Sequence, residues 1–513
     1  MEVILLLFFN LILRIPFLAT NDSDEWATFH RIRMQKGYRL KPNFFPSDSL
    51  QNGFMGAPRL QYFIVSWLPE KWWAIFGNAL NIIYDILSVI LIYVIFGDIH
   101  AEQWHFSPSF WIALVFGSSP ILFSITARLT GVKARTLGLL LILMYLSCLK
   151  PIVLESNYAF IIPAVVLGVL SISASAFAMQ NLVFLSISVS VLLGAPNALL
   201  VLLFVFIAAW FDPFLGTKKV LIHKINHYWW YAKSYSGTTA SDKNRISDFF
   251  KLPHYLVTKP LRFLEIVLKK NSYTVLLIST PWIWFLLWAY LNGFDLHQTK
   301  TDMLWSFAIV ASTLIIFFLT TLRPFLLFGE AERYFEYGAA YLSSIGVTLI
   351  ISWGMSEVIL AILVLVQASI VLVFLIYRLK GVIKKGLDPL VKNDHLDDCI
   401  AFLRNGHKAI NVLTIPLKYG YYLGFHTYDS GIKLYHMFIS NEIDGFKYMR
   451  NDLAKYDYPK EDIHELVDQY DLDYMVVSKR YHRKDIQDYD FTGLGYAVAH
   501  ENPEFVVYSL KKE

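Results

Sequence analysis

The densest group of ionisable side chains beside an apolar run is Asp22-Ser23-Asp24-Glu25-Trp26, with His30 close behind. Adjacent carboxylates just outside a membrane span can take a proton as a general base or hold a divalent cation. The same residues suit a solvated loop that ends one helix and starts another, because Asn, Asp and Ser are ordinary N-cap residues. An Asn21-Asp22-Ser23 sequon falls here and reads as coincidence rather than as a glycan site.

A second group follows Arg323-Pro324, in the stretch Gly329-Glu330-Ala331-Glu332-Arg333-Tyr334-Phe335-Glu336-Tyr337. At helical spacing Glu330 and Arg333 are i,i+3, and Glu332 and Glu336 are i,i+4. An arginine fork at a membrane surface fits a phosphate, although a salt-bridged turn explains the pattern equally well. Arg128, Lys133 and Arg135 form a third group, able to bind a lipid phosphate or simply to snorkel to the interface. Asp85, four residues after Asn81, lies inside an apolar run. An intramembrane acid is costly and therefore a functional candidate, with Arg14 as a candidate partner in a structural pair. His223 and His227 stand at i,i+4, but no third metal ligand is visible, so the identity of any metal stays unknown.

These residues need elements to position them. The chain has 513 residues, 56% hydrophobic and 17% charged, with a mean hydropathy of +0.45. Soluble domains carry about 25% charge. Charge is nearly absent from long stretches between residues 73 and 212 and dense after Lys380. A net charge of +4 is too small to point to nucleic acid. Cys148 and Cys399 have no partner spacing that marks a disulfide framework or a metal knuckle. Apolar runs at 3–20, 73–97, 109–127, 134–150, 158–178, 273–292, 303–322 and 356–378, with shorter ones at 179–194, 196–211 and 338–353, predict about 11 transmembrane helices. The first is read as a retained span, since it lacks a basic leader and Arg14-Ile15-Pro16 interrupts it.

The expected architecture is a polytopic α-helical membrane domain over residues 1–385 and a soluble α/β domain over 386–513. Long loops at 21–72 and 213–272 interrupt the membrane part, the first with Trp67, Trp72 and Trp73 expected at interfacial depth. In the C-terminal domain, residues 409–415, 474–477 and 505–508 read as strands, and Pro459 to Tyr470 as a helix. No glycine loop there cradles a phosphate. With eleven spans, both long loops and the C-terminal domain fall on one side of the membrane, where they can build one site. The positive-inside count places that side in the cytoplasm, although long loops escape the rule.

The order of features resembles the GT-C superfamily of membrane glycosyltransferases, particularly its protein mannosyltransferase and aminoarabinose transferase branch. The features are a first span ending in Arg-x-Pro, an acidic loop with Asp24-Glu25, and a Gly56-Ala57-Pro58 segment before the second span. Ser119-Pro120 and Arg323 fit the layout loosely. The resemblance implies sugar transfer from a polyprenyl-phosphate-linked donor to a glycan, lipid or protein acceptor. It also implies a cell membrane location with the loops and the C-terminal domain extracytoplasmic. Asp24 would act as the base and Glu25 would orient the acceptor or help hold a cation, Mg or Mn. Arg128, Lys133, Arg135, Arg323 and Arg333 would supply positive charge to the leaving phosphate. Asp22, His30, Asp85, Glu330, Glu332 and Tyr334 are further site candidates. Two other functions compete: a non-catalytic protein that binds lipid-linked sugar, and a transporter, which would want broken helices and internal repeats.

Overall fold

Where no water is present, a helix satisfies each backbone N–H and C=O internally, so the apolar runs have one stable outcome. In the computed structural model the described residues are all except 20–24, 39, 100, 102, 125–127, 235–245, 294–300, 386–392, 406–408, 444–445, 447–457, 481–490, 492–495 and 511–513. The chain forms two compact units. One comprises Met1–Asp22, Ala74–Asp212 and Thr238–Asp388, the other Ser23–Trp73, Pro213–Gly237 and Pro389–Glu513.

The first unit is helical. Among the described residues, five helices are long and apolar enough to cross a membrane: Glu70–Ile95, Arg135–Leu154, Ala176–Leu193, Met303–Thr321 and Val358–Ile376. Four shorter apolar helices accompany them. The first apolar run is a helix over Glu2–Arg14 that tightens into a 3-10 turn over Ile15–Ala19, where Pro16 offers no N–H. Gly194, at φ 60°, closes the Ala176–Leu193 helix and separates it from Asn197–Phe211. The run at 273–292, expected as one span, is two helices, Ser272–Ser279 and Pro281–Leu291. Pro281 forces the break, because the residue before a proline is pushed out of helical conformation, and Thr280 sits at φ −131° and ψ 71°.

The second unit is built on a five-stranded sheet in the order β2-β1-β3-β5-β4, with β1 at Ile410–Ile415, β2 at Ile432–Leu434, β3 at Tyr474–Ser478, β4 at Ala497–Glu501 and β5 at Phe505–Ser509. β1 pairs in parallel with β2 and β3, whereas β5 pairs antiparallel with β3 and β4. Side chains alternate faces along a strand, and both faces of the central strands are apolar. Val412, Val476 and Val507 pack with Leu396, Ile400 and Leu423 on one face. Leu413, Met475, Val477 and Val506 pack on the other, with Ile463 and Leu466 of the Ile463–Tyr470 helix. Met34, Met55 and Trp230 complete that second core. Residues 23–73 and 213–237 therefore share a core with the C-terminal sheet.

Trp67 and Trp72 are exposed, whereas Trp73 is buried within the protein. It is buried against Phe29 and Phe425, and its indole N–H donates to the Leu68 carbonyl at 2.9 Å. Gly56 explains the Gly-Ala-Pro segment, since a Cβ there would meet the Cβ of His223 at 2.3 Å. In the first unit Gly346 lies similarly close to the Trp282 ring, at 2.1 Å from an added Cβ. Gly346→Leu should therefore destabilise the detergent-purified protein by about 1–3 kcal/mol. A thermal midpoint equal to wild type would show that the two helices tolerate separation.

Candidate functional site

The polar face of the helix over Trp73–Ile95 carries Asn78, Asn81 and Asp85, spaced by three and four residues. Asn78 Oδ1 accepts from the Gly131 N–H at 2.7 Å, and Asn81 Nδ2 donates to the Gly131 carbonyl at 2.7 Å. Thr136 Oγ1 donates to Asn81 Oδ1 at 3.0 Å. These bonds fix the turn that presents Arg128 and Arg135. Asp85 accepts from Arg14 Nε at 2.5 Å and, through its other oxygen, from Arg128 Nη2. Arg128 Nε reaches Glu336 Oε2 at 2.8 Å, and Arg135 Nε reaches Glu336 Oε1 at 2.9 Å. Arg14 also donates to Asn10 Oδ1 at 2.8 Å and to the Gly117 carbonyl at 3.0 Å.

Arg14, Asp85, Arg128 and Glu336 are fully buried, and Arg135 nearly so. Three guanidiniums thus face two carboxylates, leaving an excess positive charge. Arg135 Nη2 is buried without a hydrogen-bond partner. The guanidinium carbons of Arg135 and Arg333 stand 5.0 Å and 4.9 Å from the Phe177 ring centroid. Arg333 is paired with Glu330, Nε to Oε2 at 2.5 Å and Nη2 to Oε1 at 2.6 Å. Glu332 accepts from Ser272 Oγ, and the buried Tyr334 donates to the Phe328 carbonyl at 2.6 Å. Glu332 and Glu336, although i,i+4, serve different partners. Lys133 is half-buried.

Asp22 and Asp24 lie outside the described residues, as do the side chains of Glu25 and Arg323. Glu25 opens the helix Glu25–Gln35. That helix packs on Tyr419–Thr427 through Trp26, whose ring meets Tyr422 at 4.6 Å and Phe425 at 5.3 Å between centroids. Its buried side includes His30, which joins Asp48 and His436 in a cluster with one ligand-type atom each, all within 4.8 Å of one another. Burial works against the Asp48 charge, but the adjacent His30 and His436 imidazoles outweigh it and hold the carboxyl well below its usual range. His223 and His227 do not join that cluster. His223 Nδ1 accepts from the Gly56 N–H at 3.3 Å, and His227 stacks on Tyr231. A cleft of about 510 Å³ is lined by Arg33, Lys36, Glu70, Arg404, His426 and Tyr428. Glu70 pairs there with Arg33 at 2.6 Å and Lys36 at 3.0 Å.

Sequence reasoning reached His30, Asp85 and the Arg128–Arg135 group, but it did not put Glu336, Asp48 or His436 among the site candidates. Glu336 is visible as an acid in the 329–337 stretch, but its pairing with Arg128 and Arg135 is set by the fold. Asp48 and His436 carry no local signal.

No family model and no curated protein matches the sequence. Solved structures do. The archaeal oligosaccharyltransferase of Archaeoglobus fulgidus, in complex with an inhibitory peptide and a dolichol-phosphate, matches at a TM-score of 0.50 and 11% identity, covering 94% of this chain and 69% of that one. The same enzyme tethered to an acceptor peptide gives 0.49 at 10% identity, with 94% and 69% covered. Its complex with zinc and sulfate gives 0.48 at 10%, with 94% and 68% covered. The likeness is one of fold.

The charge network predicts a specific mutational pattern. Asp85→Asn leaves Arg14 and Arg128 facing each other in a buried place, and should cost about 3–5 kcal/mol. Adding Arg14→Met should recover part of that loss, and an additive double mutant in denaturant titrations would refute the coupling. His223 supplies a pH dependence. Burial, followed by the charges of Arg31, Lys224 and Arg59, pushes its imidazole down to about 3. The unfolded chain takes up a proton near pH 6.5, so the stabilisation present above that pH is lost as pH falls toward 3. His223→Gln should flatten that part of the stability profile; an unchanged slope would contradict the assignment.

Proposed function

We propose that this chain is a membrane glycosyltransferase. It moves a sugar from a polyprenyl-phosphate-linked donor to a glycan, lipid or protein acceptor at the extracytoplasmic face of the cell membrane. The observation that supports this reading is the fold, shared over 94% of the chain with an archaeal oligosaccharyltransferase, together with the GT-C-like order of features in the sequence. The eleven-span topology, with residues 386–513 as an extracytoplasmic domain, belongs to the same reading.

The chemistry assigns the roles. The acceptor heteroatom forms a bond to the anomeric carbon while the bond from that carbon to the phosphate oxygen breaks. The acceptor proton goes to a carboxylate, for which Asp24 is the candidate, with Glu25 orienting the acceptor or helping to hold Mg or Mn. The departing phosphate is already a stable anion and needs positive charge rather than a proton. Arg135 and Arg333, both against the Phe177 ring, are the best-suited donors of that charge, with Lys133 and Arg323 as further candidates. Arg128 is saturated by Asp85 and Glu336, so its role becomes positioning Arg135 through the shared Glu336.

Asp24→Asn should lower transfer from a radiolabelled polyprenyl-phosphate sugar by at least about 10²-fold, with the thermal midpoint retained. Undiminished turnover would sink the base assignment. Absence of transfer by wild type with every polyprenyl-phosphate sugar tried, alongside saturable binding of one of them, would favour a non-catalytic lipid-linked-sugar binder.

A further inference from the structure

The cluster of His30, Asp48 and His436 has no part in the transfer reading. The residues are at most 2% exposed, on a helix, a loop and the segment after β2. Their placement is enforced by backbone bonds. The Asp48 carbonyl accepts from the Leu434 N–H at 2.7 Å, and the Leu50 N–H donates to the Leu434 carbonyl at 2.9 Å. The Gln51 amide clamps the His436 backbone from both sides, donating to its carbonyl at 2.9 Å and accepting from its N–H at 2.8 Å.

Within this rigid frame the two imidazoles approach different oxygens of one carboxylate. His30 Nε2 lies 2.8 Å from Asp48 Oδ2, and His436 Nε2 lies 3.3 Å from Asp48 Oδ1. The second pair makes no hydrogen bond. His436 Nε2 and Asp48 Oδ1 are buried, face each other and have no hydrogen-bond partner, while His30 Nδ1, also unpartnered, is on the ring edge away from Asp48. Such orphans are costly in a native interior and call for an explanation. A separation of about 3.3 Å is the edge of a tetrahedron around an ion with bonds of about 2.0 Å, the length zinc makes to imidazole and carboxylate. Two imidazoles also favour zinc or a similar borderline metal over magnesium or calcium. Gly424 borders the cluster, and a Cβ there would come within 2.8 Å of Asp48 Oδ2 and 2.9 Å of His30 Nε2.

We propose that His30, Asp48 and His436 bind a zinc ion that fastens the 25–51 stretch to the β2 edge of the C-terminal sheet. The site differs from the cation position considered at Asp22, Asp24 and Glu25 and shares no ligand with it.

The test uses the full chain in detergent, stripped with a chelator and reloaded with Zn²⁺ alone. Wild type should retain about one zinc per chain by mass spectrometry, and X-ray absorption should show two imidazoles at about 2.0 Å. Asp24→Asn should keep the zinc, which separates this proposal from the transfer mechanism. His436→Ala and Asp48→Asn should lose it. His436→Cys should keep it and add a sulfur neighbour at about 2.3 Å, a readout that survives if the alanine variant fails to fold. Failure of wild type to retain zinc, or retention by a folded His436→Ala, would overturn the site and leave a metal-free His-Asp-His contact.

Discussion

A charge inside a membrane protein must meet its opposite, and that constraint organises the first unit. Removing one ion from water costs several kcal/mol even after relaxation. Asp85 and Glu336 together neutralise most of the charge on Arg14, Arg128 and Arg135. The five residues come from the first helix, the Trp73–Ile95 helix, the turn before the Arg135–Leu154 helix, the first residue of that helix and the segment after Glu332–Phe335. No one of them can be buried stably before the others arrive, so the network couples helix packing to charge pairing. Asn78 and Asn81 extend this control to the backbone, holding the Gly131 turn in register with the helix that carries Asp85.

The same arithmetic distinguishes arginines that look alike in sequence. Arg128 has its Nε and Nη2 on carboxylates and its Nη1 on the Leu122 carbonyl. Little capacity is left for a ligand. Arg135 shares one carboxylate with Arg128 and keeps a buried Nη2 unmatched. Arg333 is held by a single two-point contact to Glu330 and is partly exposed. Proximity to a membrane surface cannot separate these cases; only the location of the carboxylates can.

Legibility followed range. The Ile410–Ile415, Tyr474–Ser478 and Phe505–Ser509 strands were readable because β-branched runs are local signals, whereas the helix expected over Pro459 to Tyr470 starts only at Ile463, with Asp462 rather than Pro459 at its cap. β2 has three residues and β4 is largely exposed, so neither offers a strong pattern. The Thr280–Pro281 break was visible as a proline but hidden by the hydropathy around it. Asp85 announced itself as an acid in an apolar run, whereas its second arginine and Glu336 required the fold. Membership of 23–73 in the core of the second unit was equally non-local. Met34 and Met55 are unremarkable in sequence and become core only because one face of the sheet lacks cover.

The two polar clusters illustrate opposite outcomes of burial. In the first unit nearly every buried donor and acceptor around Asp85 has a partner among the described residues, which is the condition of a structural network. In the second unit two facing atoms of a three-residue cluster, His436 Nε2 and Asp48 Oδ1, are left unmatched, although the surrounding backbone is tightly bonded. A frame that rigid could have turned those side chains toward partners at small cost. That it instead aims two imidazoles at one carboxylate, with a glycine at its edge, is better explained by a ligand between them than by tolerance of waste. Saturation marks the residues that hold the fold, and organised lack of saturation marks those that await something else.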